Sequence, residues 1–167
     1  GLNKLYLLME KQHNRGQDGA GIATVKLDIK PGYPFMYRLR SIQNQAIADI
    51  FSQISAQIED VKKYHANIEK HPDYMKGHID YLGELMLGHL RYGTQGKNTV
   101  EACHPYIKCH TRPVLNLALA GNFNLLNRTE LFDLLKSSRP PETRTSDLAA
   151  MLDTVYYFIN KAVEENG

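Results

Sequence analysis

The sequence predicts an α+β domain in which helices and sheets are segregated, and three observations predict it. Apolar residues at helical spacing mark both ends of the chain, and alternating apolar residues mark strands in the middle. Polar turns containing glycine recur where those strands stop, and turns of that kind on a rigid sheet are common places for small-molecule sites. With 167 residues, 43% of them hydrophobic, the chain can bury one sizeable core and is short for two ordinary domains, so a single domain over 1–167 is expected.

Each element follows from local pattern. Leu5, Leu8 and Met9 share a helical face that runs toward Gln12. The stretch 14–21 then places Gly16, Gly19 and Gly21 within six positions, a turn in which the backbone can approach another group closely. Residues 22–27 read as a strand, and after the Pro31-Gly32 turn the alternation of Phe35, Tyr37 and Leu39 reads as its hairpin partner. From Ser41 the period changes, with Ile47, Ile50, Phe51, Ile54, Ile58 and Val61 on one face of a helix. Residues 62–83 fit either a second short helix or an ordered loop. Residues 85–90 and 114–120 read as strands, each running into a polar turn, at 91–96 and 121–124. Asn127 with Glu130 predicts a reciprocally capped helix, and Ser146 predicts the cap of a last helix through Leu148, Met151, Leu152, Val155, Phe158 and Ile159.

Composition narrows the function. Twenty Lys and Arg against eighteen Asp and Glu give a net charge of +2, spread along the chain with no basic stripe for nucleic acid. No apolar run approaches the roughly 20 residues of a membrane span and no signal peptide is recognisable, so a cytoplasmic protein is expected. Cys103 and Cys109 lack the pairing of a structural zinc site, and no metal site is expected; free structural thiols are the reading of both. His65, His71 and His78 read as solvated surface residues.

Taken singly, the polar residues of the turns have plain structural roles. Arg15 can be a structural arginine beside a glycine turn, Arg91 can pair with a carboxylate, Asn122 is ordinary turn chemistry, and Asp147 suits the start of a helix through the helix dipole. Taken together they match an α-amino acid. Its carboxylate needs a donor fork such as Arg91, its ammonium an acid such as Asp147, and its side-chain carbonyl an amide donor such as Asn122.

The segment His13-Asn14-Arg15-Gly16-Gln17-Asp18-Gly19-Ala20-Gly21-Ile22 resembles the His-Arg-Gly-Gln-Asp-Ser-Ala-Gly-Ile of class II glutamine amidotransferases, in particular the amidophosphoribosyltransferases. Gln17 favours these over the glucosamine-phosphate synthases, which usually carry tyrosine there. Gly88-His89-Leu90-Arg91-Tyr92-Gly93-Thr94-Gln95-Gly96 resembles the family's Gly-His-x-Arg-Tyr-x-Thr-x-Gly, and Thr145-Ser146-Asp147 its Thr-Ser-Asp, in the same order. The likeness spans residues 5–159 apart from a helical stretch at about 40–81, which resembles an insertion.

The resemblance implies an N-terminal-nucleophile hydrolase fold, a four-layer αββα sandwich with mainly antiparallel sheets, whose first strand and N-terminal cysteine would precede this chain. Arg91 would bind the glutamine α-carboxylate with help from Thr94, and Asp147 would bind the α-ammonium. Arg15 and Gly16 would line the nucleophile side, and Asn122 with the backbone N–H of Phe123 would form the oxyanion hole. Phe123 departs from the family, which has glycine there. The implied reaction is hydrolysis of glutamine to glutamate and ammonia, passed to a synthase domain or subunit, with phosphoribosyl pyrophosphate as acceptor in purine synthesis. No cofactor is implied for the glutaminase half; the resemblance leaves room for Mg2+ in a phosphoribosyltransferase half and for a homo-oligomer. Starting at Gly1, the chain itself is expected to be inactive. A noncatalytic amino-acid-binding or assembly module is the alternative, favoured by Phe123 and by the insertion.

Overall fold

The computed structural model describes residues 1–15, 18–65, 67–93, 98–135 and 146–166. They form an α+β structure with antiparallel sheets, divided into two compact units, Gly1–Pro105 and Tyr106–Gly167.

The first unit opens with helix α1, Leu2–Lys11, followed by strands β1, Gly19–Val25, and β2, Met36–Ser41. Helix α2 covers Ala46–Tyr64, α3 covers Pro72–His78, and β3 covers Leu85–Arg91. The expected hairpin is present: β1 pairs antiparallel with β2 on one side and with β3 on the other, in the order β2-β1-β3. Within the unclear stretch 62–83, Pro72 takes a first-turn position of α3, where its missing N–H has no helical partner to lose.

The two faces of this sheet differ. Ala20 and Ile22 of β1, with Leu39 and Leu90 on the flanking strands, pack under α1 and α2 against Met9, Ala46, Ile47, Ile50 and Ile54. The period read from the sequence supplies the α2 contacts, whereas on α1 Leu8 points outward at 59% exposure and Leu5 and Met9 hold the interface. The opposite face of β1 carries Gly19 and Gly21, and there the chain at 103–104 runs directly against it. A Cβ on Gly19 would lie 2.7 Å from Cys103 Sγ, and one on Gly21 would collide with the backbone carbonyl oxygen of His104.

At the far end of β1, Lys26 is 1% exposed and donates from Nζ to the carbonyls of Lys76 (2.6 Å) and Ile79 (2.9 Å) at the C-terminal end of α3. Those carbonyls form the negative pole of the helix, and the Tyr37 ring lies 4.4 Å from the ammonium. Burial pushes the Lys26 pKa down, while the charge of Asp80 opposes that shift. Lys26 thereby fixes α3 to the sheet.

The second unit holds a two-stranded antiparallel sheet, β4 (Tyr106–Lys108) with β5 (Leu117–Leu119), and helices α4 (Arg128–Leu134) and α5 (Asp147–Asn166). Phe132, Ala149 and Ala150 form its buried cluster, with Tyr106, Leu125 and Leu131 against them. The strand expected at 114–120 is shorter than its pattern. Residues Pro113–Leu115 form a 3-10 turn, and the Asn116 amide donates to the carbonyls of His110, Arg112 and Pro113 instead. Asn127 does precede α4, yet its side chain makes no capping bond, whereas Ser146 Oγ accepts from Ala149 N at 3.4 Å as expected. Among the described residues, no helix is long and apolar enough to cross a membrane.

The contact between Gly21 and His104 generates a prediction. Gly21→Ala should destabilise the protein by about 3 kcal/mol or more, because the added methyl meets backbone that cannot step aside. Urea unfolding measures it, and a change within about 0.5 kcal/mol would show that the two backbones do not touch there.

Candidate functional site

In the first unit, residues 18–19 of one glycine-containing stretch lie beside residues 91–93 of the other. Gly19 lies opposite Arg91 in the β1–β3 register. Asp18 extends that pairing: its N–H donates to Arg91 O at 3.1 Å, and its Oδ2 accepts from Gly93 N at 2.7 Å. His13–Arg15 form a 3-10 turn on the approach. Gly16, Thr94 and the side chain of Arg15 lie outside the described residues.

Arg91 ends β3 and is only 9% exposed. Its Nη1 donates to Asn98 Oδ1 at 3.3 Å and to Thr99 O at 3.1 Å. From β2, Arg40 donates to the carbonyls of Glu101 and Cys103, both at 3.0 Å. Two guanidiniums therefore grip the segment that covers the glycine face. The sequence pattern singled out Arg91 and passed over Arg40, since an arginine in a strand carries no motif.

Cys103 Sγ sits 3.8 Å from Ser41 O and from Thr99 O. Burial pushes its thiol pKa up, against a weaker downward pull from an Arg91 hydrogen bond and from the charges of Arg91 and Arg40. A buried, protonated thiol is a structural group rather than a nucleophile, as the sequence suggested. The ring of His104 packs on that of His89 at 4.4 Å. Burial lowers both imidazoles, and His104 falls to about 4 with additional repulsion from His89, Arg91 and Arg40.

The second unit holds the other candidates. Asp147, the first residue of α5, accepts from Leu125 N through Oδ2 at 3.1 Å and pairs through Oδ1 with Arg128 Nη1 at 3.0 Å. This carboxylate ties the 121–125 turn to the start of α5, a role that neither dipole nor motif revealed because Arg128 lies in another element. Asn122 is exposed, and the Phe123 ring folds back over Gly121, where a Cβ would stand 2.8 Å from it. Among the described residues only Asp28, Gly32 and Asn67 have positive φ, so Phe123 keeps a backbone that any residue adopts.

The chain is similar to amidophosphoribosyltransferases. It is 27% identical over 150 residues to that of Haemophilus influenzae and, to the same extent, to that of Pasteurella multocida. The match covers 89% of this chain and 23% of each relative, so the chain spans about a quarter of their length. No family model matches the chain. No solved structure matches it either. The likeness is to a protein class that the motifs had pointed to, and it includes both units rather than the turns alone.

The buried imidazoles predict a pH dependence. Between pH 6.5 and about 4 an unfolded histidine takes up a proton that folded His104 refuses, so stability present above 6.5 is lost as pH falls through that window. Denaturation midpoints measured across it should fall with acid, and His104→Gln should flatten the slope; an unchanged slope would mean that His104 titrates normally.

Proposed function

We propose that this chain is a glutamine amidotransferase domain of the glutaminase type, serving a longer protein. One observation carries the reading: Asp18 and Gly19, from one segment that resembles a motif of that class, pair and hydrogen-bond with Arg91 and Gly93 of the other at one end of β1 and β3. The similarity to amidophosphoribosyltransferases over 89% of the chain supports it.

On this reading Arg91, with Thr94, receives the glutamine α-carboxylate and Asp147 receives the α-ammonium, as charge-assisted pairs. Arg15 and Gly16 line the nucleophile side. The side-chain amide of Asn122 and the N–H of Phe123 stabilise the oxyanion, and Phe123 has no positive φ that would require glycine. The nucleophile is a cysteine at the N-terminus of the natural protein, its own amino group taking the thiol proton. Thiolate adds to the amide carbon, ammonia leaves with the returned proton, and water then cleaves the thioester to glutamate. Ammonia passes to an acceptor, for which phosphoribosyl pyrophosphate is the reading taken from the relatives' name, with Mg2+ belonging to that half-reaction. The protein would act in the cytoplasm, in purine synthesis.

A noncatalytic module is the second reading, and a specific observation favours it. Asp147 already pairs with Arg128, and Arg91 already binds Asn98 and Thr99, so both have internal duties. Calorimetry with glutamine tests whether a pocket exists. Arg91→Lys and Asp147→Asn, the latter keeping an acceptor for Leu125 N, should each weaken glutamine binding about tenfold or more at a temperature where both variants remain folded, although each also loses a structural bond. Unchanged affinity, or no glutamine binding by the unaltered protein, would contradict the assignment. If glutamine binds and the natural N-terminus releases no ammonia from it, the second reading stands.

A further inference from the structure

The carboxylate of Asp147 is held from two sides. Leu125 N donates to Oδ2 at 3.1 Å, and Arg128 Nη1 reaches Oδ1 at 3.0 Å. Nothing in the local structure of α4 asks for that arginine. Arg128 is the first residue of the helix, at the pole that repels a cation. Its Nε is buried with no hydrogen-bond partner among the described residues, which adds a desolvation cost. The pair with Asp147, formed across 19 positions of sequence, is the contact that offsets both.

The carboxylate does not depend on Arg128 to stay in place. Asp147 is the first residue of α5, so the helix fixes its backbone, and Ser146 Oγ accepts from Ala149 N in the same turn. The dipole of α5 favours a negative charge there, and the Leu125 N–H stays on Oδ2 whatever stands at 128. A carboxylate has about four acceptor sites, so with one bond on each oxygen both can accept again. What Arg128 changes is charge. The side chains of Arg128 and Asp147 are 38% and 19% exposed, so water screens the pair only in part, and the pair has no net charge. A cation approaching Asp147 meets free lone pairs with little long-range attraction behind them.

We propose that Arg128 is a positioning residue for the ammonium subsite, acting through Asp147 to temper its pull on cations and so to set how strictly the site demands an α-ammonium. The inference rests on the assignment of Asp147 to the ammonium of glutamine. With the charge of Asp147 balanced, a positive group gains mainly the directional hydrogen bond that it can make to a free lone pair. An ammonium held in place by the rest of glutamine makes that bond; a free amine gains too little to compete. Removing Arg128 has two opposed effects, the loss of one bond to the carboxylate and the loss of a charge that repels ammonium. Because α5 and the Leu125 N–H still hold the carboxylate, the second effect is the larger.

Calorimetric titration with glutamine and with glutaramate, which is glutamine without its α-ammonium, tests it. Arg128→Gln should tighten glutamine binding about fivefold, the size of one partly exposed charge pair, and leave glutaramate within about twofold. Arg128→Lys keeps the charge and should leave both affinities near those of the unaltered protein. In an Asp147→Asn background, Arg128→Gln should no longer tighten glutamine. A merely structural arginine would instead weaken both ligands alike. That result, or a glutamine affinity that Arg128→Gln leaves unchanged, overturns the inference while the glutaminase reading stands. The unaltered protein supplies a second measurement that needs no variant to fold: it should prefer glutamine to glutaramate by about tenfold or less. A preference of about a hundredfold or more would require an unbalanced carboxylate and overturns the inference as well. No glutamine binding by the unaltered protein overturns the glutaminase reading, and the role of Arg128 with it.

Discussion

The first unit depends on a place where one backbone lies against another with no side chain between them. At Gly21 the central strand of the sheet touches the carbonyl of His104, and at Gly19 it leaves a socket that Cys103 fills. A sheet face is normally covered by interdigitating side chains; here part of it is covered by a strip of chain. The strip needs its own fastening, and Arg40 and Arg91, on the strands either side of β1, supply it through carbonyls of residues 99, 101 and 103. Removal of water from the neighbourhood then keeps the His89 and His104 rings neutral and the Cys103 thiol protonated.

This arrangement changes how the motif residues are to be understood. Gly21 and Arg91 belong to segments that resemble catalytic motifs, yet both have work in the fold that would constrain them in a protein without activity. Asp147 is similar, since it joins a turn to a helix through Leu125 and Arg128. A guanidinium has five donors and a carboxylate four lone-pair sites, so structural and ligand bonds can share one side chain. Rigid anchoring of this kind also suits a site that must hold its geometry before substrate arrives.

Much of the fold was legible in the sequence because its signals are local. The isoleucines of α2 repeat at the helical period and bury the face they predict, and the apolar alternation around Pro31-Gly32 gives the β1–β2 hairpin. The failures are equally physical. Strand β4 is three residues long, too short for any period to show, and the apolar run at 114–120 loses its first half to a proline turn that Asn116 bonds shut. For the site, order and residue type pointed to three turns, and the pairing of Gly19 with Arg91 joins two of the motif segments within the first unit. What no local pattern could show was contact over long separations: His104 on Gly21, Arg40 on Cys103, Arg128 on Asp147, and the three rings of His65, Tyr74 and His78.

The glutaminase reading rests finally on a nucleophile, and the chemistry demands that it be the first residue of the mature protein, because its α-amino group is the base. Mass spectrometry of the intact natural polypeptide identifies that residue directly. The account predicts a cysteine with an unblocked amino group, followed by a segment leading into α1. Any other first residue, or a blocked one, would contradict glutaminase activity and leave the amino-acid-binding module as the function of these turns.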